Sequence, residues 1–372
     1  MIDNRKTGYL ILVGSALFNI SWTFGHRFLD SRIYLTAATF FLGADPSEFR
    51  LGASNALQLR PVVPFLTSLL SPVVELDVAF AIVSSVFWLG TCLLLFKLTQ
   101  ILTHSYVGGL WAGLLFNFSA PVLAFGASLL TDMTSWFSLT LGLYLLARWK
   151  GRMSLSRTVA SALVVGVGVL TREIVLSLVL AHLLAVAWGR DTSRRDLLRL
   201  GVFLLFAALP VVLWNWYLGK SLLIYYQEGP QKTISSYSAP GPSAWEVTLY
   251  GSLDIDARTL PLLVLLPLRW TGSLVAAFHG ALALALIRFR ESIAATKALR
   301  LWPYLIATVP VFLARSFMEL RLMFILFPVI LPIAAVHLTG LGRKGAWVMA
   351  AYALASYALA GALWALATQS PA

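Results

Sequence analysis

The sequence predicts an all-α, polytopic membrane protein: a single domain over residues 1–372, built as a bundle of about eleven transmembrane spans with interfacial helices in its first outer loop. Three observations predict it. Hydrophobic residues make up 59% of the chain and charged residues only 12%, where a soluble domain carries roughly 25% charged residues. Mean hydropathy is +0.81, so there is too little polar surface to cover a soluble fold of this length. Apolar runs of membrane-crossing length recur along the chain, and the basic residues segregate between the segments that join them.

A helix crossing hydrocarbon needs about 20 apolar residues, and lipid tolerates no unpaired backbone group. Residues 8–24, 76–98, 106–125, 128–148, 198–218, 269–287, 321–339 and 345–367 meet that demand. Residues 301–314 (LWPYLIATVPVFLA) are short, and suit a thin membrane or a helix continued by 315–318. The run 158–189 is too long for one crossing. As a single helix it places Arg172 and Glu173 in mid-membrane, which is costly, and carries Arg190, Arg194, Arg195 and Arg199 to the outside. A hairpin of two short helices turning at 171–173 removes both difficulties. The first span reads as retained rather than as a cleaved signal, because no small-x-small site follows 9–20 before His26 and Arg27.

This arrangement sets the N-terminus in the cytoplasm and the C-terminus outside. Seventeen of the 28 Lys and Arg then fall on the cytoplasmic side beside four acids, Asp3, Asp191, Asp196 and Glu291. The outer side holds eleven basic and twelve acidic residues. Such a split is the positive-inside signature. The net charge of +12 is therefore a topology signal, and no nucleic-acid partner is expected. The single cysteine, Cys92, lies in an apolar run, which excludes disulfides and cysteine metal sites.

Two long segments fall outside. In the outer loop 25–75, residues 33–42 and 62–70 are apolar stretches suited to helices in the membrane interface. The segment 219–260, rich in Gly, Pro, Ser and Tyr, reads as a mobile outer loop of the kind that covers a site.

Ionisable residues near membrane spans mark function by default, and here they collect at outer span ends: Asp30, Arg32, Arg60, Asp132, Arg172, Glu173, Arg269, Arg315, Glu319 and Arg321. Asp30 is either a general base for an acceptor hydroxyl or a helix N-cap. Asp132 either faces a polar cavity or forms a structural pair with an outer arginine. Arg172 either binds a phosphate, oriented by Glu173, or forms an ion pair with it. Arg315, Glu319 and Arg321 form a dense turn suited to a substrate phosphate or to anionic lipid headgroups. The five histidines show no metal-ligand spacing, and Gly109-x-x-x-Gly113 fits close helix packing. With no Walker loop, GxGxxG or GxSxG, ATP-driven transport and nucleotide chemistry are not expected of this chain.

Several local strings resemble the membrane glycosyltransferases of the GT-C fold, which use polyprenyl-phosphate-linked sugars. They are Asp30-Ser-Arg-Ile-Tyr34, Arg60-Pro-Val-Val-Pro64, Thr131-Asp132, Leu170-Thr-Arg-Glu173, and Glu319-Leu-Arg321 followed by Phe327-Pro328 and Pro332. The resemblance implies a catalytic base at Asp30 and a lipid phosphate held by Arg172, Arg315 or Arg321, with Arg32, Arg60, Glu173 and Glu319 in the same substrate-binding set. It implies membrane lipid, a polyprenyl-phosphate sugar donor and a lipid, glycan or protein acceptor as partners. Many members carry two adjacent acids in the first loop, whereas Asp30 stands between Leu29 and Ser31. Either Asp132 supplies the second catalytic carboxylate, or the divalent metal of some members (Mg or Mn) is absent, or the enzyme is degenerate. The soluble C-terminal domain that many members append is not expected within these 372 residues. The rival readings are a lipid or solute transporter or flippase, a non-catalytic subunit of a polysaccharide assembly machine, and a polymerase or ligase using lipid-linked donors. A transporter is expected to show repeated halves and mid-membrane polar groups, and the sequence shows neither.

Overall fold

Hydrocarbon offers a backbone amide no partner, so apolar runs close their hydrogen bonds within helices, and every described element is helical. The structure, a computed structural model, describes residues 5–28, 30–45, 53–148, 154–187, 193–219, 262–287, 289–298, 302–314 and 320–369. α1 (Arg5–Thr23) leads to three short helices, α2 (Ser31–Thr39), α3 (Ala53–Leu59) and α4 (Val62–Leu70), in which α2 packs on both others. The chain continues through α5 (Leu76–Thr103), α6 (Tyr106–Asn117), α7 (Ala120–Phe125), α8 (Asp132–Arg148), α9 (Leu155–Val169), α10 (Leu176–Ala187) and α11 (Arg194–Tyr217). After the next described residue follow α12 (Leu262–Ile287), α13 (Phe289–Ala298), α14 (Trp302–Ala314), α15 (Leu320–Met323), α16 (Phe327–Gly340) and α17 (Lys344–Gln369). A 3-10 turn, Phe324–Leu326, joins α15 to α16.

Among the described residues, four helical stretches are long and apolar enough to cross a membrane, as an integral membrane protein requires: Leu76–Thr103, Arg194–Tyr217, Leu320–Gly340 and Lys344–Ala365. Leu155–Val169, Glu173–Ala187, Thr271–Ile287 and Trp302–Val311 are shorter apolar stretches, so helix length alone does not fix the expected count of eleven spans.

The expected turn at 171–173 is present. α9 ends where the Thr171 hydroxyl donates to Gly168 O at 2.6 Å, and a 3-10 turn, Glu173–Val175, starts the return. Gly166 on α9 abuts the Ala207 carbonyl and the Pro210 ring of α11. His182 on α10 packs its ring at a tilt against Phe203 of α11, 4.3 Å between ring centroids. The two arms therefore both run along α11, as a hairpin does. The apolar stretch 33–42 forms α2 and a 3-10 turn, Phe40–Leu42, and 62–70 forms α4; α3 and α13 were not anticipated. The loop expected over 219–260 lies, apart from Gly219, outside the described residues.

A buried amide network anchors the middle of α1. The Asn117 side chain donates to Leu12 O (3.0 Å) and Ser15 Oγ (2.8 Å) and accepts from Trp88 Nε1 (3.0 Å). Asn19 Nδ2 donates to Asn117 O at 2.7 Å, and the Tyr357 hydroxyl donates to Asn19. Each bond meets a group that apolar surroundings would otherwise leave unpaired. The network ties α1, α5, α6 and α17 together.

Candidate functional site

Two backbone hydrogen bonds begin the site. Gly25 N donates to Ala127 O (3.1 Å) and Leu129 N to His26 O (3.0 Å), stitching the segment that leaves α1 to the one that enters α8. Gly25 has φ +75°, a conformation that suits a residue without a side chain. The stitch brings Asp30, which precedes α2, towards Asp132, the first residue of α8.

Arg321 stands between these two carboxylates. Its Nη2 donates to Asp30 Oδ2 at 2.8 Å, and its Nη1 lies 3.5 Å from Asp132 Oδ2. α15 is held in place by packing beyond it: Phe324 stacks on Phe278 and Phe327 and meets the edge of Trp136, while the Tyr304 hydroxyl donates to Ile325 O at 2.7 Å. The other oxygen of Asp132 accepts from Arg172 Nη1, so four side chains form an alternating chain, Asp30–Arg321–Asp132–Arg172.

A second arm runs beside it. Arg60 is the residue before Pro61, a position disfavoured within a helix, and it sits between α3 and α4. Its Nε and Nη2 grip Glu173 Oε2 and Oε1 at 3.1 and 2.8 Å in a two-pronged pair. Its Nη1 donates to the hydroxyl of Tyr34, one turn along α2 from Asp30.

Asp30 sits at the N-cap of α2 yet makes no side-chain capping bond. Its carboxylate goes to Arg321 instead. Burial works to raise the Asp30 carboxyl, but Arg321, with Arg172 and Arg60 farther off, outweighs burial and holds it below the usual carboxylate range. The Asp30 side chain is 38% exposed and Arg321 12%, whereas Arg172 and Asp132 are 3% and 1% exposed. Buried polar atoms without a hydrogen-bond partner concentrate around the first turn of α8: Thr131 Oγ1, Asp132 Oδ2, Thr134 Oγ1 and Trp136 Nε1, together with Arg172 Nε. Buried polar groups are ordinarily satisfied, so this concentration marks a polar site within an apolar bundle.

Six of the residues expected from sequence thus converge: Asp30, Arg60, Asp132, Arg172, Glu173 and Arg321. The Arg172–Glu173 pairing differs from expectation, whereas Asp132 does pair with an outer arginine, one of its two expected roles. Glu173 holds Arg60 rather than orienting Arg172, and Arg172 is held by Asp132, because 171–173 turns the two side chains to different neighbours. Arg32 is exposed and stands apart from this network. Arg315 and Glu319 lie outside the described residues. Sequence reasoning gave Tyr34 no role; its spacing of one helical turn from Asp30 is the signal that places both on one side of α2.

The described residues of this site do not fit a divalent metal. Among the described residues no group of three or more His, Cys, Asp or Glu can hold one. The Arg321 guanidinium occupies the place between the Asp30 and Asp132 carboxylates that such an ion would need.

No protein-family model and no curated protein matches the chain. Solved structures do. ArnT from Cupriavidus metallidurans, bound to undecaprenyl phosphate, matches with a TM-score of 0.59 at 18% identity, over 91% of this chain and 61% of that one. The Archaeoglobus fulgidus oligosaccharyltransferase AglB, in complex with an inhibitory peptide and a dolichol-phosphate, matches with a TM-score of 0.57 at 13% identity, over 95% of this chain and 55% of that one. The Archaeoglobus fulgidus oligosaccharyltransferase in complex with Zn and sulfate matches with a TM-score of 0.55 at 13% identity, over 95% and 52%. The chain spans between about half and three-fifths of the length of these proteins and shares their fold.

Proposed function

We propose that this chain is a membrane glycosyltransferase that moves a sugar from a polyprenyl-phosphate-linked donor to a hydroxyl on a lipid, glycan or protein acceptor at the extracytoplasmic face. The observation that carries the proposal is the Arg321 guanidinium held between Asp30 and Asp132, which sets a cation beside a partly exposed carboxylate. Two structures of this fold contain a polyprenyl-type phosphate, undecaprenyl phosphate in ArnT and dolichol-phosphate in AglB. The extracytoplasmic assignment rests on the charge split, with seventeen basic residues against four acids on the opposite side.

The chemistry needs a base for the acceptor hydroxyl and cations for the departing phosphate. Asp30 accepts the acceptor proton as the new bond forms at the anomeric carbon. The bond from that carbon to the phosphate oxygen breaks, and the polyprenyl phosphate leaves with the electron pair. Arg321 receives its negative charge. Asp132 and Arg172 are buried, and act by positioning Arg321. Arg60 and Glu173 steady α2 through Tyr34. From the sequence alone, Arg32, Arg315 and Glu319 are assigned to donor binding and segment 219–260 to a cover that excludes water. A single displacement of this kind inverts the sugar's configuration. A magnesium or manganese ion would enter only by displacing Arg321 from between the carboxylates, and the steps above run without one.

The test is transfer of labelled sugar from a polyprenyl-phosphate donor by purified protein. Asp30→Asn is expected to lower the rate at least about a hundredfold while the protein stays folded in detergent; unchanged turnover would sink the base assignment. Absence of transfer from every such donor, alongside transport of the intact lipid across a vesicle membrane, would favour the flippase reading.

A further inference from the structure

Among the described residues the charges of the cluster balance: Arg60, Arg172 and Arg321 face Asp30, Asp132 and Glu173. A lipid phosphate adds negative charge to it, and the arginine that loses least by changing partners is the one best placed to receive it. Arg172 is badly placed to do so, because leaving Asp132 would strand a carboxylate that is 1% exposed. Arg60 is gripped at two points by Glu173. Arg321 differs from both. Its contact with Asp132 is long, at 3.5 Å, and its 2.8 Å bond is to the most exposed carboxylate of the three. Asp30, the more open member of this pair at 38% exposed, reaches water as it leaves, and the phosphate replaces it on Arg321, so the exchange strands neither charge.

We propose that Asp30 is a latch on Arg321: the phosphate of the donor lipid takes the place of the Asp30 carboxylate on Arg321 Nη2, and the displaced carboxylate becomes the free base. This deepens the glycosyltransferase reading and rests on it. One hydrogen bond is exchanged for another and no proton moves. Asp132 stays as the counter-charge that keeps Arg321 in register while its outer partner changes. Away from Arg321 the carboxyl is released from the cation that suppresses its basicity. The site therefore arms its base only after donor binds, and donor precedes acceptor in the order of binding.

The latch makes an unusual prediction for Asp30→Asn. A residue that helps to hold the donor weakens binding when it is neutralised, whereas a competitor for Arg321 strengthens binding when it is removed. The probe is undecaprenyl phosphate, titrated into the purified full chain in detergent and read by intrinsic tryptophan fluorescence. Asp30→Asn is expected to bind it about three- to tenfold tighter than the unsubstituted protein, and Asp30→Ser likewise, so the effect does not hang on one variant folding well. Arg321→Gln should bind more weakly, and adding Asp30→Asn to it should recover nothing. Undecaprenol, which lacks the phosphate, should bind the unsubstituted protein and Asp30→Asn alike. Equal or weaker undecaprenyl phosphate binding by both Asp30 variants overturns the latch and leaves the glycosyltransferase reading standing. A matching gain for undecaprenol overturns it too, since tail contacts would then explain the change. If the unsubstituted protein and both Asp30 variants all fail to bind undecaprenyl phosphate, the glycosyltransferase reading falls, and the latch with it.

Discussion

Arg172 Nη1 donates to Asp132 Oδ1, joining the turn between α9 and α10 to the first residue of α8, with both side chains almost wholly buried. Removing one partner of such a pair leaves an uncompensated charge away from water, at a cost of about 3–5 kcal/mol. Asp132→Ala and Arg172→Ala are each expected to lower unfolding stability in detergent by that order. The double variant should lose clearly less than the sum, because the second substitution removes the orphan left by the first. Additive losses in a double-mutant cycle would show that the pair is not coupled.

Tyr34 accepts a hydrogen bond from Arg60, whose other nitrogens are occupied by Glu173. Tyr34→Phe keeps the ring packed and deletes only the acceptor. It should cost about 0.5–1.5 kcal/mol and lower turnover with little change in donor KM, since α2 then holds Asp30 less firmly. A substitution silent in both measurements would reduce Tyr34 to a space-filling role.

The Asp30 carboxyl lies below its reference value of 3.8 in the folded protein. A depressed folded value contributes stability above the unfolded value, and that contribution is lost as pH falls through the folded one. The stability difference between the unsubstituted protein and Asp30→Asn should therefore be flat above about pH 5 and shrink below about pH 4. A difference that grows on acidification would contradict the pairing with Arg321.

The hairpin predicts topology. Reporter fusions placed after Arg152 and after Arg195 should both read as cytoplasmic, because α9 and α10 leave and return on one side. An outer-side signal after Arg195 would refute the proposed orientation of the hairpin and of Glu173.

Much of this molecule is legible before any folding. The turn at 171–173 follows from a run too long and too charged to cross once, and α2 and α4 follow from apolar stretches at helical spacing. Asp30, Asp132, Arg172 and Arg321 stand out because ionisable groups are scarce in so apolar a chain. Their pairing is another matter. Asp30 and Arg321 are separated by most of the sequence, and adjacency suggested that Glu173 would serve Arg172, where it serves Arg60.

The sequence by itself determined the bilayer as the solvent and the helices as the elements. It also supplied a charge asymmetry that orients them, and a shortlist of polar residues. These are local consequences of composition and period, which act within one helix length. Tertiary structure alone decided which arginine meets which carboxylate, and that Asp132 is buried while Asp30 remains partly open. Those choices depend on how α1, α8 and α15 are set against one another by the Asn117 network, the backbone stitch at Gly25 and the packing of Phe324. Each joins residues far apart in the chain, and no local pattern encodes it.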